Sequence, residues 1–348
     1  MRAIVGLMLA AALAFAGAGF GVTAGNAAET VQGPKVSWKF SSWGQRRAVT
    51  EGMEYIIEEV AKRTNGNFTI KLFYGEALSQ AKENLDGISI GAFESGYFCA
   101  QFHPGKNKPL NVLDLPFLPL EDLDLTYKVH HAVFEHPDVV KSMDRWNAFL
   151  YMTNALQQFE LMGRNAVPKS IEDFKGVRVS LPGGIGRALE LLGFVRSSVP
   201  APEAYTALER GTIDAVGLPY TYPFSAYKVD QISKWVTTNM RMGTTVCPTV
   251  FARKHWEALP PQYKQLLLDL RWPAHEVMRD AYIKVDKENE AKWAKQGLQM
   301  IKMPAAEVAE FRRIGARPIW DEWVKENQAE FDAKGLLELV FKTAGAQM

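Results

Sequence analysis

Cysteine is nearly absent: Cys99 and Cys247 are the 2 in a chain of 348 residues. A fold framed by disulfides is excluded, and a hydrophobic core must supply the stability. Charge of one sign is also lacking, with 40 Lys and Arg against 39 Asp and Glu. Neither nucleic acid nor an anionic membrane surface is favoured as a partner. The 6 histidines (His103, His130, His131, His136, His255 and His275) form no His-Glu-x-x-His or Cys-x-x-Cys pattern, so no metal is expected. His130 to His136 lie on a polar helical stretch and are expected to be solvated. There is no Gly-x-Ser-x-Gly elbow, no distinctive carboxylate pair, no repeat of solenoid period and no low-complexity tract. Pro182-Gly183-Gly184-Ile185-Gly186 has neither the third glycine of a dinucleotide turn nor the Lys-Ser/Thr of a phosphate loop, so it is a tight packing turn. No cofactor is implied. An exported α/β enzyme, a lyase or isomerase with scattered residues, is the alternative to a non-enzymatic role.

Long apolar runs are missing too, except at the start. Ala3 to Phe20 follows Arg2 and leads into small residues up to Ala27-Ala28. That is the order of a secretory signal peptide, residues 1–28, with cleavage after Ala27 or Ala28. Ala and Gly make the run weakly hydrophobic for a spanning helix. The mature chain is expected to be soluble and periplasmic, without direct membrane insertion. At about 320 residues, two lobes are more natural than one core.

Val36 to Phe40 alternates as a strand, and Ala48 to Arg63 places Met53, Ile56, Ile57 and Val60 on one helical face. Phe68 to Phe73 is β-rich, Lys82 to Ile90 helical, and Ala92 to Phe98 a further strand. This order implies parallel pairing through crossover helices. Helices follow from Asp122 and from Pro137, then a strand near Phe149 to Thr153. A second αβ series starts after Asn154. It has a strand at Glu160, the strand–turn–helix Phe174 to Gly193, helix Ala204 to Arg210 and strand Asp214 to Leu218. Trp256 to Leu270 is helical, Pro273 interrupts, and Ala274 to Lys295 resumes as a long helix. Leu298 to Met303 is a strand, with helices beyond.

Aromatics are the positive signal. Trp43, Tyr97, Phe98, Tyr220, Tyr222 and Phe224 fall at strand ends or in the loops that follow, where open α/β sheets bind ligands. Phe98 is expected in the core. Cys99 follows the third strand and Cys247 opens a later one. In an oxidising compartment the two can bridge, and two buried thiols are the alternative.

Pro202 to Tyr220 resembles the exported solute receptors of tripartite ATP-independent (TRAP) transporters. The matching residues are Glu203, Tyr205, Ala207-Leu208, Gly211, Asp214 and Pro219. Ser170 to Gly176, Leu115-Pro116-Phe117, Gly66 to Gly75 and Trp256 to Pro260 match further blocks in order. The resemblance implies a two-lobed α/β periplasmic-binding-protein fold, type II-like, with an interlobe cleft and a long lobe-spanning helix. Lobe I would cover 34–154 and lobe II 155–246. Residues 247–303 would return to lobe I and carry the long helix, and helices of 304–348 would pack across both. It also implies delivery of a small organic solute to the membrane permease subunits of a TRAP transporter.

The departures bear on the ligand. Where the family has an arginine that forks onto a substrate carboxylate, this chain has Ser180. Where a second arginine is frequent, it has Glu160. Leu218 replaces a common Asn, and Ala201 a common aromatic. Arg178 shares a strand face with Ser180 and, like Arg46, Arg47 or Arg164, is a candidate to restore the charge. The resulting expectation is a neutral or amine-bearing solute stacked on aromatics, with Glu160 facing its donor or cation. The alternative is a bulky or aromatic carboxylate held by a relocated arginine. Candidate ligand-binding residues are Trp43, Tyr97, Glu160, Ser180, Pro182, Tyr220 and Tyr222, with Arg178, Ala201, Phe117, Thr245 and Gly44.

Overall fold

The computed structural model describes residues 30–120, 122–181, 183–197 and 199–348. The expected signal peptide and Pro182 therefore lie outside the described residues. The strands fall into two sheets. The first has 5 strands: β1 (Val36–Ser41), β2 (Phe68–Phe73), β3 (Ser95–Tyr97), β4 (Ala148–Met152) and β10 (Thr249–Ala252). The second has 6: β5 (Phe159–Gly163), β6 (Arg178–Ser180), β7 (Val195–Ser197), β8 (Ala215–Pro219), β9 (Trp235–Thr237) and β11 (Gln299–Ile301). The orders are β2-β1-β3-β10-β4 and β11-β9-β5-β8-β6-β7.

Parallel β1–β2 and β1–β3 pairs are joined through α1 (Glu51–Arg63) and α2 (Asn84–Ser89). Crossover helices make this pairing possible, as the alternation predicts. In α1, Met53, Ile56 and Val60 are buried, while Glu51 and Glu54 open the helix and Lys62 and Arg63 close it. That charge order complements the helix dipole. Residues 153–158 leave β4 for β5 in the other sheet, and residues 238–248 return from β9 to β10. Strand β10 lies antiparallel between β3 and β4. The chain therefore crosses between the sheets in two adjoining straps.

Helices α3 (Leu123–Phe134) and α4 (Pro137–Asp144) precede the first crossing, and α5 (Gly183–Glu190), α6 (Ala204–Glu209) and α7 (Tyr222–Ala226) lie between the two. The expected helix Trp256 to Leu270 is two helices, α8 (Arg253–Ala258) and α9 (Pro261–Asp269), divided at Leu259-Pro260. A proline tolerates a first helical turn but breaks an interior one. The same rule corrects the reading of Pro273. Helix α10 runs Arg271–Gln296 with Pro273 in its first turn, so the break lies at Leu270 instead. Its 26 residues are long enough to touch both sheets' helices, α1 at one end and α7 further along. On the first lobe, Asp124 of α3 accepts from His275 Nε2 (2.8 Å) and from Arg279 Nη1. On the second, buried Asp230 accepts from Lys292 Nζ (2.6 Å) and Trp293 Nε1 (2.9 Å). Between these anchors, Asp286 accepts from Gln157 of the first strap (2.6 Å) and from Thr221. Three helices end the chain: α11 (Ala305–Gly315), α12 (Arg317–Asn327) and α13 (Ala333–Ala344). The first two contact α5 and the last contacts α3.

His130 is not solvated. It is 0% exposed, and Nδ1 meets Thr153 Oγ1 at 2.7 Å. His131 and His136 are half-buried. Burial pushes the His130 imidazole down to about 3. The ring stays neutral in the folded chain, whereas an unfolded histidine protonates near 6.5. Its contribution to stability is complete above about pH 6.5 and is lost as pH falls toward about 3. Between pH 6.5 and 5, His130 alone should cost about 2 kcal/mol of unfolding free energy. Urea titrations at the two pH values should show this loss, and His130→Asn should flatten it. An unchanged slope in that variant would assign the acid sensitivity elsewhere.

Candidate functional site

A cavity of about 720 Å³ lies where the two straps pass between the sheets. This is within the ordinary size of a small-molecule site, roughly 300–1,000 Å³. On the first-sheet side, Trp43 follows β1 and Tyr97 ends β3, edge to face at 5.7 Å. Trp43 also meets Phe102 at 5.8 Å. The second-sheet side presents Ser180 at the end of β6, Leu218 and Pro219 at the end of β8, and Tyr222. Asn154, Leu156 and Cys247 enter from the straps, and Trp323 of α12 from the C-terminal helices. The lining thus comes from strand ends on both halves, where side chains no longer needed for the core can face a ligand.

Cys99 and Cys247 are bridged, and the bridge is part of the cavity wall. The register explains the pairing. Tyr97 lies opposite Thr249 in the β3–β10 ladder, so two residues further along Cys99 lies opposite Cys247. Backbone bonds from Phe98 N to Pro248 O and from Ala100 N to Val246 O extend the ladder around them. Their Cα atoms are 4.0 Å apart, as in a close cross-strand pair.

Arg47 lines the cavity beside Tyr222. Its Nη1 donates to Trp43 O (2.8 Å) and Gln45 O (2.7 Å), and its buried Nε finds no acceptor. No carboxylate pairs with it among the described residues. Gly44 makes this fold-back possible. It sits at φ +67, and a Cβ there would lie 2.9 Å from Arg47 Nη1. Two acceptors lie further along the wall. Asp114 is 4% exposed and accepts one bond, from Val246 N at 2.9 Å. Burial pushes its carboxyl up to about 7. Asn154 donates through Nδ2 to Cys247 O (2.7 Å), leaving Oδ1 without a partner. No cluster of three or more metal-ligating side chains occurs among the described residues.

Residues 40–327 match the family model described as bacterial extracellular solute-binding protein, family 7. The chain belongs to this family. Among curated relatives of this family 7 protein is the monocarboxylate 2-oxoacid-binding periplasmic protein of Nostoc sp. It is 28% identical over 188 residues, which cover 52% of this chain and 50% of that protein. A solute-binding protein of Verminephrobacter eiseniae is 26% identical over 62% of this chain and 64% of its own length. The chain thus spans about half to two thirds of the length of these relatives. A TRAP solute-binding protein of Rhodoferax ferrireducens, solved with copurified benzoate, superposes with a TM-score of 0.80 at 18% identity, covering 89% of this chain and 98% of that one. One from Desulfovibrio salexigens with bound orotic acid gives 0.80 at 21%, covering 89% and 99%. The two-lobed fold implied by the resemblance is therefore the fold of this family 7 chain.

Of the residues singled out from the sequence, Trp43, Tyr97, Ser180, Ala201 and Tyr222 line the cavity together. The others do not. Glu160 is 2% exposed, and its oxygens accept from Thr237 Oγ1 (2.5 Å), Met240 N (3.2 Å) and Arg241 N (2.9 Å). Arg178 points out of the site, forking onto Asp214 at 2.8 and 2.6 Å. The Arg178 bond holds the Asp214 carboxyl down at about 2. Tyr220 donates to Glu290 Oε1 at 2.7 Å. Phe117 packs on Phe311 of α11 at 4.9 Å. Thr245 is fully buried outside the cavity lining, and Gly44 acts through its backbone alone.

Two of the alternative cations are also engaged elsewhere. Arg46 forks onto Glu51 at 2.8 Å, and Arg164 caps Leu208 O and Glu209 O at 2.5 and 2.7 Å. Ser180 does not reach a ligand group with a free hydroxyl. Its Oγ accepts from Val199 N (2.9 Å) and donates to Val199 O (3.1 Å), pinning the segment that carries Ala201. The glycine turn packs closely on protein while Gly183 and Gly184 also border the cavity. A Cβ on Gly184 would meet Pro116 Cδ at 2.9 Å and Asp114 O at 3.1 Å. Sequence reasoning missed Asp114 and Asn154. Asp114 stood directly before the recognised Leu115-Pro116-Phe117 block, and that adjacency was the available signal.

Proposed function

We propose that this protein is the extracytoplasmic receptor of a TRAP-type, ion-coupled permease, and that it captures a small organic carboxylate with an apolar or aromatic body. One observation carries the ligand class: Arg47 lies in the cavity wall with no carboxylate partner among the described residues. A guanidinium without a counter-charge in a partly dry site favours an anion, and its fork suits a carboxylate. Trp43, Tyr97 and Leu218 supply the apolar walls. Supporting this reading, the proteins of like fold named above hold benzoate and orotic acid, and the Nostoc relative is named for 2-oxoacids. The neutral or amine-bearing solute expected from Glu160 loses its main support, because that carboxyl is bonded elsewhere. Two lobes joined by straps and a long helix can close over such a guest and exclude water. The family's solute-binding role argues against the lyase or isomerase alternative.

Calorimetry with benzoate, 3-hydroxybenzoate and the uncharged 3-hydroxybenzamide tests the ligand class. The acids should bind at least about 30-fold tighter than the amide, the lower range for a buried charge-assisted pair. They should also be recovered unchanged. Equal or tighter binding of the amide overturns the carboxylate, and consumption of the acid overturns the receptor.

A further inference from the structure

We propose that Asp114 reads a hydrogen-bond donor on the captured acid, so that the site selects carboxylates bearing a hydroxyl or amino group away from the carboxylate. The inference rests on the carboxylate reading above and adds a second recognition point to it.

The geometry is a sequence of neighbours along one wall. Arg47 is bonded to Trp43 O, and Trp43 packs on Tyr97. Tyr97 leads to the Cys99–Cys247 bridge, and Val246, next to Cys247, donates to Asp114 Oδ1 at 2.9 Å. Asp114 therefore sits across the bridge from Arg47, in the same cavity. It ends the turn Pro109–Asp114 and is held against the backbone of α5, close to Gly183 and Gly184. Its second oxygen accepts nothing, and no Lys or Arg is ion-paired with it among the described residues. A carboxyl this buried has one donor where it can accept several. Burial without a partner also raises its proton affinity, to about 7, and a donor from the ligand would offset that desolvation.

Asn154 supplies a second, independent observation. Its amide orientation is set by Nδ2 donating to Cys247 O and Thr249 Oγ1, at 2.7 and 3.2 Å. Oδ1 is consequently an acceptor with no donor. Two unmet acceptors in one wall call for a ligand that donates there. An acid without a donor leaves both desolvated and unmatched, which is the situation in which a polar site rejects an analogue most strongly.

The test compares benzoate with 3-hydroxybenzoate, 3-aminobenzoate, 3-methoxybenzoate and isophthalate by calorimetry on the mature protein. The hydroxy and amino acids should bind at least about tenfold tighter than benzoate. The methoxy acid should bind no tighter than benzoate. In Asp114→Asn, Oδ1 can still accept from Val246 N, while an NH2 group replaces the free oxygen. The hydroxy-to-methoxy preference should then vanish or invert, with a thermal melt confirming that the variant is folded. Equal binding of benzoate and 3-hydroxybenzoate overturns the proposal. So does a preference that survives in Asp114→Asn, or isophthalate as the tightest probe, which would assign the second group to Arg196, an exposed arginine that also lines the cavity. Failure of the carboxylate reading looks different. The amides would then bind as well as the acids, and the donor preference would be read between 3-hydroxybenzamide and benzamide. Failure of every probe overturns both.

Discussion

Replacing Arg47 with Met should reduce the affinity for a carboxylate probe by about 100-fold or more. A desolvated, hydrogen-bonded charge pair is worth about 2–5 kcal/mol when one partner is removed. Arg47 is the arginine to test because it is the buried one in the wall, whereas Arg196, which also lines the cavity without an ion pair among the described residues, is exposed, and the others are occupied. Arg46 is paired with Glu51, Arg178 with Asp214, and Arg164 with backbone carbonyls. Arg187, on the cavity rim, is paired with Glu190 and Glu322. Arg47 instead has Nη1 fixed on two carbonyls, which orients the guanidinium without neutralising it. Such preorganisation lowers the entropic cost of binding. Arg47→Lys should recover only part of the loss, since an ammonium cannot form the fork. Calorimetry with 3-hydroxybenzoate on folded variants decides the matter. Affinity within threefold of the natural protein in Arg47→Met would remove this residue from the site.

Loss of the Cys99–Cys247 bridge should cost about 5 kcal/mol of stability by chain entropy, because it closes a loop of 148 residues. That loop contains the whole second sheet except β11. The bridge joins the chain where it leaves the first sheet's β3 to where it re-enters at β10. Reduction should therefore loosen the junction of the halves as well as the first lobe. Because the bridge also lines the cavity, ligand affinity should fall with stability. Urea unfolding of Cys99→Ser/Cys247→Ser beside the natural protein measures the first effect, and calorimetry the second. A difference below 1 kcal/mol would show that the ladder around the bridge holds the junction by itself.

What the sequence determined by itself follows from local physics. Periodicity placed α1, the parallel β1–β2–β3 unit and the αβ series of the second half, because burial of one face is written into residue spacing. Strand-end aromatics located Trp43, Tyr97 and Tyr222, because open sheets present their ends to the cleft. The motif departure at Ser180 was legible because a serine stands where the resembling family carries an arginine.

What only the tertiary structure decided depends on partners distant in sequence. Asp214 takes Arg178 out of the site, Thr237 and the Met240-Arg241 backbone take Glu160, and Glu290 takes Tyr220. Equally, Arg47 and Asp114 became site residues because two straps fold past the β3–β10 ladder and bring residues about 70 to 200 positions apart to one wall. A charge's role is set by which opposite charge lies within hydrogen-bonding distance, and residue spacing along the chain does not encode that distance.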